Sequence, residues 1–471
     1  MTQIQPRHSP GDETSVRDVV ARGISSSEQE PRAERLISNA VVVYVILWIL
    51  EGAIRKWVPS LDQGFYLARD ALLVMALSYV SIVYPKRRRS NVIFWPFVLL
   101  LSVLTAVQVI GGSIGLSVAL VGLRSYVAPL LLIYAVWRYR AKSLANRMIL
   151  TLLVFAPLEA MLTVIQVGSP AAAWINKQVG DELTDFVNIG GIVRASGTFS
   201  APSGLSFYAP LCLALSLAIF ARVTGGTRAI SGLAVLSSLT IVGIGGSRGA
   251  VLAVAIVLVV HVLHQAARSD WTSVKQVFAI AVVLVVTGVG LFIFVPDAMT
   301  ALLLRFQNAA TSENSASRLA GQTFGFLQTN FDVLGSGAGA NSIAGVGLGS
   351  TGEWYEVESQ RWVVELGILG LSLALVRLAF VFTLVWRSFA RLGDVSSMRV
   401  LLLAVWVHVI LYGQITQNPT LQGAFSIMAV LAYLTWNDGF QGAGLAQSNR
   451  MKRSGQILTM RENGFRRVDR A

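Results

Sequence analysis

The chain has 471 residues, of which 54% are hydrophobic and only 13% are charged, and its net charge is +13. Soluble globular proteins carry about 25% charged residues, so the composition excludes an ordinary soluble protein and predicts a polytopic membrane protein. The basic residues are dispersed, without an aromatic-interleaved patch, which argues against nucleic acid as a partner. The single cysteine, Cys212, lies in an apolar stretch and excludes a disulfide framework.

Polar segments flank a long apolar region. Residues 1–35 carry charges of both signs and lack the apolar core of a signal peptide. We therefore predict that 1–35 is a disordered cytoplasmic tail and that the basic segment 437–471 is a second one. The region between them, 36–436, is predicted to be a transmembrane bundle.

Twelve stretches of this region are apolar and long enough to cross a bilayer, which takes about 20 helical residues. The predicted spans are 36–54, 66–84, 92–110, 117–137, 147–167, 204–221, 229–244, 249–264, 277–295, 362–386, 400–416 and 421–436. Two connections are long, 168–203 and 296–361. The predicted fold class is an all-α bundle of about 12 transmembrane helices, with a large periplasmic loop between helices 9 and 10.

The distribution of basic residues orients this bundle. If the N-terminus is cytoplasmic, most of the 38 Lys and Arg residues fall in the tails and in the short cytoplasmic connections, with Lys86-Arg87-Arg88-Arg89 as the densest run. Cytoplasmic segments of membrane proteins are enriched in Lys and Arg. Both termini are therefore predicted to be cytoplasmic, and both long loops to lie on the outer side.

Arginines on the outer side are the first candidates for a binding site, because an arginine at or inside a membrane boundary is costly. Most boundary arginines reach the lipid headgroups, but Arg124 lies too deep in its span, and Arg248 has small neighbours in Gly246-Ser-Arg-Gly249. Several guanidinium groups around one cavity suit a diphosphate-like anion. The candidates are Arg55, Arg69, Arg124, Arg194, Arg248 and Arg318, and Arg305 and Arg361 are further cations of the second long loop.

Carboxylates are rarer on this side. Glu51 and Asp70 are expected to pair with the arginines near them. Glu356 and Glu358 end the second long loop beside Trp354-Tyr355, where an acidic residue either acts as a general base or is simply solvated. The segment 316–331 places its apolar side chains on one side, which predicts a helix on the outer membrane surface or packing beneath the loop.

Motifs of other site types are absent from the sequence. The glycine-rich run 335–349 precedes no lysine and is not a phosphate-binding P-loop, and no paired-histidine metal motif occurs. Neither a metal nor a cofactor is therefore expected.

An ordered set of motifs resembles the superfamily of O-antigen ligases and Wzy-type polysaccharide polymerases. The matching stretches are Glu51-Gly-Ala-Ile-Arg-Lys-Trp57, Tyr66-Leu-Ala-Arg-Asp70, Gly122-Leu-Arg-Ser-Tyr126, Val193-Arg-Ala-Ser-Gly-Thr-Phe199, Gly245-Gly-Ser-Arg-Gly249, Ser317-Arg318, Leu334-Gly-Ser-Gly337 and Val364-Glu-Leu-Gly-Ile-Leu-Gly370. The resemblance implies a metal-independent glycosyltransferase of the bacterial inner membrane. Its donor would be a glycan on undecaprenyl pyrophosphate, and its acceptor a sugar hydroxyl. By the same resemblance Arg248, Arg194, Arg124 and Arg318 would hold the pyrophosphate.

One departure bears on the activity. Many members of this superfamily carry a His-Asn pair before the Glu-x-Gly-x-x-Gly motif, where this chain has Glu356-Val-Glu358-Ser-Gln-Arg361. A base would then have to be a glutamate, Glu358 first and Glu356 second. The departure favours a polymerase of exopolysaccharide or O-antigen repeat units over an O-antigen-type ligase.

A flippase for lipid-linked oligosaccharides is the alternative from a different class. Flippases are usually built of two related halves with short loops, and this chain shows neither. The expected partners are the lipid-linked donor and acceptor, membrane lipids, and chain-length regulator and export proteins.

Overall fold

The computed structural model of this chain describes residues 32–84, 94–139, 141, 143–179, 188–189, 192–267, 271–312, 315–390 and 396–437. The predicted tails, 1–35 and 437–471, lie outside these ranges except at their inner ends, where residues 32–35 and 437 are helical. The basic run 86–89 also lies outside the described residues.

Almost all regular structure in the described residues is α-helical. The helices are α1 (Arg32–Trp57), α2 (Asp62–Val83), α3 (Phe94–Ile110), α4 (Leu116–Arg138), α5 (Leu144–Val167), α6 (Pro202–Ile219), α7 (Gly226–Ile244), α8 (Arg248–Ala266), α9 (Trp271–Phe294), α10 (Pro296–Ser312), α11 (Ser315–Phe324), α12 (Ile343–Gly347), α13 (Glu358–Leu366), α14 (Ile368–Ala390), α15 (Ser397–Tyr412) and α16 (Pro419–Asn437).

Eleven of the twelve predicted spans each coincide with one helix, and the tenth falls on two, α13 and α14. Among the described residues, nine helices are long and apolar enough to cross a membrane, namely α1, α2, α4 to α9 and α14. Helices α3 and α15 are apolar but shorter, and α16 overlaps the last predicted span. The sequence prediction of an all-α, multi-pass membrane protein is therefore confirmed.

The tenth predicted span begins later than expected. The apolar stretch 362–386 was predicted to be one helix, but α13 ends at Leu366 and α14 begins at Ile368. Gly367, between them, has φ 59°, and a Cβ at this position would lie 2.1 Å from the carbonyl oxygen of Val333. A left-handed backbone pressed against another chain segment requires glycine, so the helix breaks here.

The helices pack around a core formed by α1, α5, α6, α15 and α16. Helix α6 lies at its centre, with most of its side chains buried. Helix α9 lies at the periphery, and none of the residues 277–294 is buried. Phe278, Phe292 and Ile293 of α9 are mostly exposed, which suits contact with lipid rather than with water.

Both long connections lie at one end of the bundle, here called the loop face, where α1 ends and α2 begins. The hydroxyl of Thr198, in the first connection, donates a hydrogen bond to the carbonyl oxygen of Ile49 in α1 at 2.5 Å. The side-chain amide of Gln108, near the end of α3, donates a hydrogen bond from Nε2 to the carbonyl oxygen of Leu334 in the second connection at 2.6 Å. The long loops therefore pack on the helix ends.

Each long connection carries short elements of its own. The first contains a 3₁₀ turn, Trp174–Asn176, and an antiparallel pair of two-residue strands, β1 (Asn188–Ile189) and β2 (Ile192–Val193). The second contains α10, α11, a 3₁₀ turn at Gly325–Gln328, and α12. Helix α11 and this turn lie in the segment predicted to contain a surface helix.

Candidate functional site

Three arginines come together at the loop face, and we call them the arginine cluster: Arg194, Arg248 and Arg305. Arg194 follows strand β2, Arg248 is the first residue of α8, and Arg305 lies in α10. The guanidinium of Arg305 donates a hydrogen bond to the carbonyl oxygen of Gly246. Gly246 has φ 62°, and a Cβ there would lie 3.0 Å from Arg305 Nη1. The glycine therefore permits the close approach of Arg305.

The electrostatics of the arginine cluster are those of crowded like charges. Burial lowers the pKa of Arg194 to about 10, and the neighbouring Arg305 and Arg248 lower it as well. Burial and Arg248 also lower the pKa of Arg305. Within the described part of the chain, no carboxylate forms an ion pair with Arg194 or Arg305. The buried Nε of Arg194 has no hydrogen-bond partner there either.

The start of helix α8 adds to the positive potential. Ser247 caps this helix, because its hydroxyl accepts a hydrogen bond from the backbone N–H of Ala250 at 3.3 Å. The N-terminus of a helix carries a partial positive charge and exposed N–H groups, which bind anions. The arginine cluster and this helix end together suit a phosphate or diphosphate group, which guanidinium binds through two parallel hydrogen bonds.

The backbone that carries Arg194 is fixed by buried polar residues of α1 and α5. Lys56 Nζ donates to the carbonyl oxygen of Gly197 at 2.6 Å and to Ser196 Oγ at 2.9 Å. Gln166 Oε1 accepts from the N–H of Gly197 at 2.8 Å, and Glu159 Oε2 accepts from the N–H of Thr198 at 3.1 Å. These bonds hold the Val193–Phe199 motif against the helix ends.

The predicted site residues Arg55, Arg69 and Arg124 belong to a different group, in which every arginine has a carboxylate partner. Arg55 Nε lies 2.5 Å from Asp62 Oδ1, and Arg124 Nη2 lies 2.7 Å from Asp70 Oδ2. The remaining contacts of this group are Arg55 Nη1 with Glu51 Oε1 at 3.2 Å, Arg69 Nη1 with Glu51 Oε2 at 3.3 Å, and Arg69 Nε with Asp70 Oδ1 at 3.8 Å.

The predicted pairing of Glu51 and Asp70 with nearby arginines is therefore confirmed. Tyr66 stands between two of these arginines, with its ring centre 4.3 Å from Arg124 Cζ and 5.1 Å from Arg55 Cζ. Three carboxylates balance three guanidinium groups, so this group carries no excess charge to offer an anion. Pyrophosphate binding by its members stays a prediction.

The two candidate bases occupy different environments. Glu356 is exposed and pairs with Arg318, also exposed, with 2.8 Å between Glu356 Oε1 and Arg318 Nη2. Glu358 is buried at the start of α13. Its Oε1 accepts hydrogen bonds from the backbone N–H of Thr416 at 2.7 Å and from Trp362 Nε1 at 3.1 Å, whereas its Oε2 has no partner within the described residues.

Glu358 is part of a buried network at the loop face. Arg361 lies between Glu358 and Glu365, with Nη2 at 3.3 Å from Glu358 Oε1 and Nη1 at 2.9 Å from Glu365 Oε2. Burial alone would lower the pKa of Arg361, but Glu365, Tyr126 and Glu358 beside it raise the pKa on balance. Glu365 Oε2 also accepts a hydrogen bond from the backbone N–H of Gly339 at 3.0 Å. The network therefore connects the glycine-rich run 335–349 to the bundle.

The family resemblance rests on the sequence motifs alone. No model of a protein family, no curated protein and no solved structure matches this chain. The resemblance to O-antigen ligases and Wzy-type polymerases therefore stays a prediction. Among the described residues, no group of three or more His, Cys, Asp or Glu side chains is placed to hold a metal ion.

Sequence reasoning did not select two arginines that the structure brings into prominence. Arg305 was noted only as a cation of the second long loop, and no local pattern brings it to Gly246. Arg377 lies well inside the apolar helix α14, where its Cζ is 5.2 Å from the ring centre of Trp362 and its buried Nη1 has no partner among the described residues. The argument that singled out Arg124, an arginine deep in a span, applies equally to Arg377.

Proposed function

We propose that this protein is a polymerase of polysaccharide repeat units that are linked to undecaprenyl pyrophosphate. The observation that carries the proposal is the arginine cluster, because Arg194 and Arg305 have no carboxylate partner in the described residues and lie beside the start of α8. A cluster of cations at a membrane boundary suits the diphosphate of a lipid-linked sugar. The order of the motifs along the chain supports the same function.

The proposed reaction is the transfer of a glycan between two lipid carriers. The acceptor hydroxyl oxygen forms a bond to the anomeric carbon of the donor sugar, and the bond from that carbon to the pyrophosphate oxygen breaks. The electron pair leaves with undecaprenyl pyrophosphate, and the hydroxyl proton goes to a base. The arginine cluster would stabilise the negative charge that develops on the leaving group, and the protein would hold the two substrates in place.

Of the two candidate bases, Glu356 has the better structural support. It is exposed, so a sugar hydroxyl can reach it, and its partner among the described residues is Arg318 on the surface. Glu358 was the first choice from the sequence, but it is buried and fixes Thr416 and Trp362. We propose Glu356 as the general base and Glu358 as a residue that holds α13 in place.

The proposed setting is the bacterial inner membrane, with about 12 crossings, both termini in the cytoplasm and the loop face in the periplasm. The enrichment of Lys and Arg in the predicted cytoplasmic segments supports this orientation. Lipid-linked repeat units would then be joined on the periplasmic side. Chain-length regulator and export proteins are the proposed partners there.

Two alternatives remain open and make different predictions. An O-antigen-type ligase would bind the same diphosphate but pass the finished glycan to another acceptor. A flippase would move lipid-linked repeat units across the membrane without making a glycosidic bond. We rank the polymerase above the ligase because the chain lacks the His-Asn pair that many members of the O-antigen ligase and Wzy superfamily carry. We rank it above the flippase because the chain does not show two related halves with short loops.

The deciding experiment measures lipid-linked glycans in a strain that lacks this protein. The glycans are extracted and sized by mass spectrometry, and their sidedness is probed with a membrane-impermeant oxidant. Single repeat units on undecaprenyl pyrophosphate at the outer leaflet support the polymerase. Long lipid-linked chains without final attachment would identify a ligase, and repeat units trapped at the cytoplasmic leaflet would identify a flippase.

A further inference from the structure

A groove between helices α8, α14 and α15 has no role in the reaction described above. Its volume is about 240 Å³, and it is partly open at the protein surface. Aliphatic side chains line most of it. His408 and Tyr412 lie towards its loop-face end, and Ser388 lies at the opposite end. The groove therefore runs along the helices across most of the apolar layer.

Helix α8 connects this groove to the arginine cluster. Ile256 and Val260 of α8 line the groove, and they are the third and fourth members of a row that begins with Arg248 and Leu252. Residues spaced four apart form one ridge on a helix surface, so Arg248 heads the ridge that forms one wall of the groove. Leu252 is 49% exposed and bridges the two. Ile256 lies about 12 Å from Arg248 along the helix axis.

A second contact brings the groove close to the segment that carries Arg194. The ring of His408, in the groove wall, lies 5.4 Å from the ring of Phe207 in α6. Helix α6 begins at Pro202, directly after the Val193–Phe199 motif. Two helices that start near the arginine cluster are thus close to the groove: α8 lines it, and α6 packs against its wall residue His408.

We infer that this groove holds the polyprenyl chain of a lipid-linked substrate whose diphosphate lies on the arginine cluster. The inference rests on the proposed function. An anionic head and a long apolar chain are the two chemistries that the cluster and the groove offer along one helix ridge. The groove is smaller than the ~300–1,000 Å³ of pockets that enclose whole small molecules, so it would hold one stretch of the chain.

In a bilayer the groove also meets phospholipid tails, and apolar burial alone does not favour one chain over another, because lipid tails are as apolar as the groove. Selection must therefore come from the head group, which the arginine cluster holds above the groove. This requirement gives the inference its test, because a prenyl chain should occupy the groove only while its diphosphate is bound.

The experiment places a benzophenone-bearing residue at Val260, which lines the groove, or at Val259, which is 57% exposed on the lipid side of the same helix. Each protein is reconstituted in phosphatidylglycerol and phosphatidylcholine nanodiscs with undecaprenyl pyrophosphate and irradiated. We expect a larger prenyl share of the adducts at Val260 than at Val259, and the excess should disappear with Arg248→Ala. In a separate protein that keeps Arg248, Ala404→Trp fills the groove and should lower the prenyl share at Val260 to that at Val259.

Equal prenyl shares at the two positions would overturn the groove assignment. Binding of undecaprenyl pyrophosphate to the unmodified protein is measured in parallel by native mass spectrometry. Binding that Arg248→Ala abolishes, together with equal shares, would refute the groove and leave the proposed function standing. Absence of binding would refute both.

Discussion

The guanidinium of Arg305 donates a hydrogen bond to the carbonyl oxygen of Gly246, and this contact joins the second long connection to the start of helix α8. Arg248, two residues after Gly246, lies near enough to Arg305 for the two positive charges to repel each other. A lone arginine at a membrane boundary usually reaches for headgroups. Here the fold brings three of them together instead, and the cost of crowding them points to an anionic ligand.

The first prediction concerns Arg305. Arg305→Ala removes one cation and the bond that holds Gly246, so the affinity for inorganic pyrophosphate should fall by about tenfold or more. Arg305→Lys keeps the charge but not the planar guanidinium group, so its affinity for pyrophosphate should lie between that of the natural protein and that of Arg305→Ala. Isothermal titration calorimetry in detergent measures both. Thr300→Ala is the matched control, because that hydroxyl donates a hydrogen bond to the carbonyl oxygen of Pro296 in its own helix. Unchanged affinity in Arg305→Ala would remove Arg305 from the site.

The second prediction concerns pH. Burial and the neighbouring cations lower the pKa of Arg194 to about 10, so its charged form is less favoured in the folded protein than in the unfolded chain. The repulsion is present below that pKa and is relieved as pH rises through it. A bound anion offsets the repulsion, so sulfate should raise Tm by the same amount from about pH 7 to 9 and by less above about pH 10.

Sulfate suits this measurement because its charge is constant over the range. Arg194→Gln should show a smaller sulfate-induced rise in Tm at every pH. A sulfate effect that is equal in Arg194→Gln and in the natural protein would show that the anion binds elsewhere.

The third prediction concerns Arg124 and Asp70. Arg124→Ala leaves the mostly buried Asp70 with only its longer contact to Arg69, and Asp70→Ala removes the carboxylate that pairs with Arg124, so both should lower the stability of the protein. The double variant should lose less than the sum of the two, with a coupling of about 0.5–3 kcal/mol. Unfolding in detergent with increasing denaturant measures all three. Additive losses, together with weakened pyrophosphate binding in Arg124→Ala, would instead show that Arg124 contacts the ligand.

The all-α membrane fold was predictable because its signal is long range and strong. An apolar run of about 20 residues has few structures open to it other than a membrane helix, and eleven of the twelve predicted spans each coincide with one helix. The break at Gly367 was not predicted, because hydropathy reports the apolar content of a stretch and not the backbone angles that end a helix.

The candidate site was predictable only in part. Arg194 and Arg248 stand in recognisable motifs, and the structure brings them together. Arg305 could not be selected, because its position depends on how a long connection folds over the bundle. The sequence led us to expect that Glu51 and Asp70 pair with nearby arginines, and the structure adds Asp62 as the partner of Arg55. Only the three-dimensional contacts reveal that every arginine of this group has a carboxylate beside it.

The last prediction separates the two candidate bases. Glu356 is exposed, so Glu356→Gln should change the free energy of unfolding by less than about 0.5 kcal/mol, yet it should abolish polymer formation if this carboxylate takes the hydroxyl proton. Glu358→Gln removes the charge beside buried Arg361, so it should lower Tm whether or not Glu358 takes part in the reaction. Glu353→Gln, at an exposed position of the same loop, is the control and should change neither.

Stability and polymer formation must be measured on the same protein preparations, because a loss of polymer in an unfolded variant carries no information about catalysis. A stable Glu356→Gln protein with full activity would exclude Glu356. If Glu358→Gln then proved stable and inactive, Glu358 Oε2, which has no partner among the described residues, would be the proton acceptor. Full activity in both variants would mean that neither Glu356 nor Glu358 serves as the base, and that stabilisation of the diphosphate leaving group by the arginine cluster supplies the main contribution of the protein to the transfer.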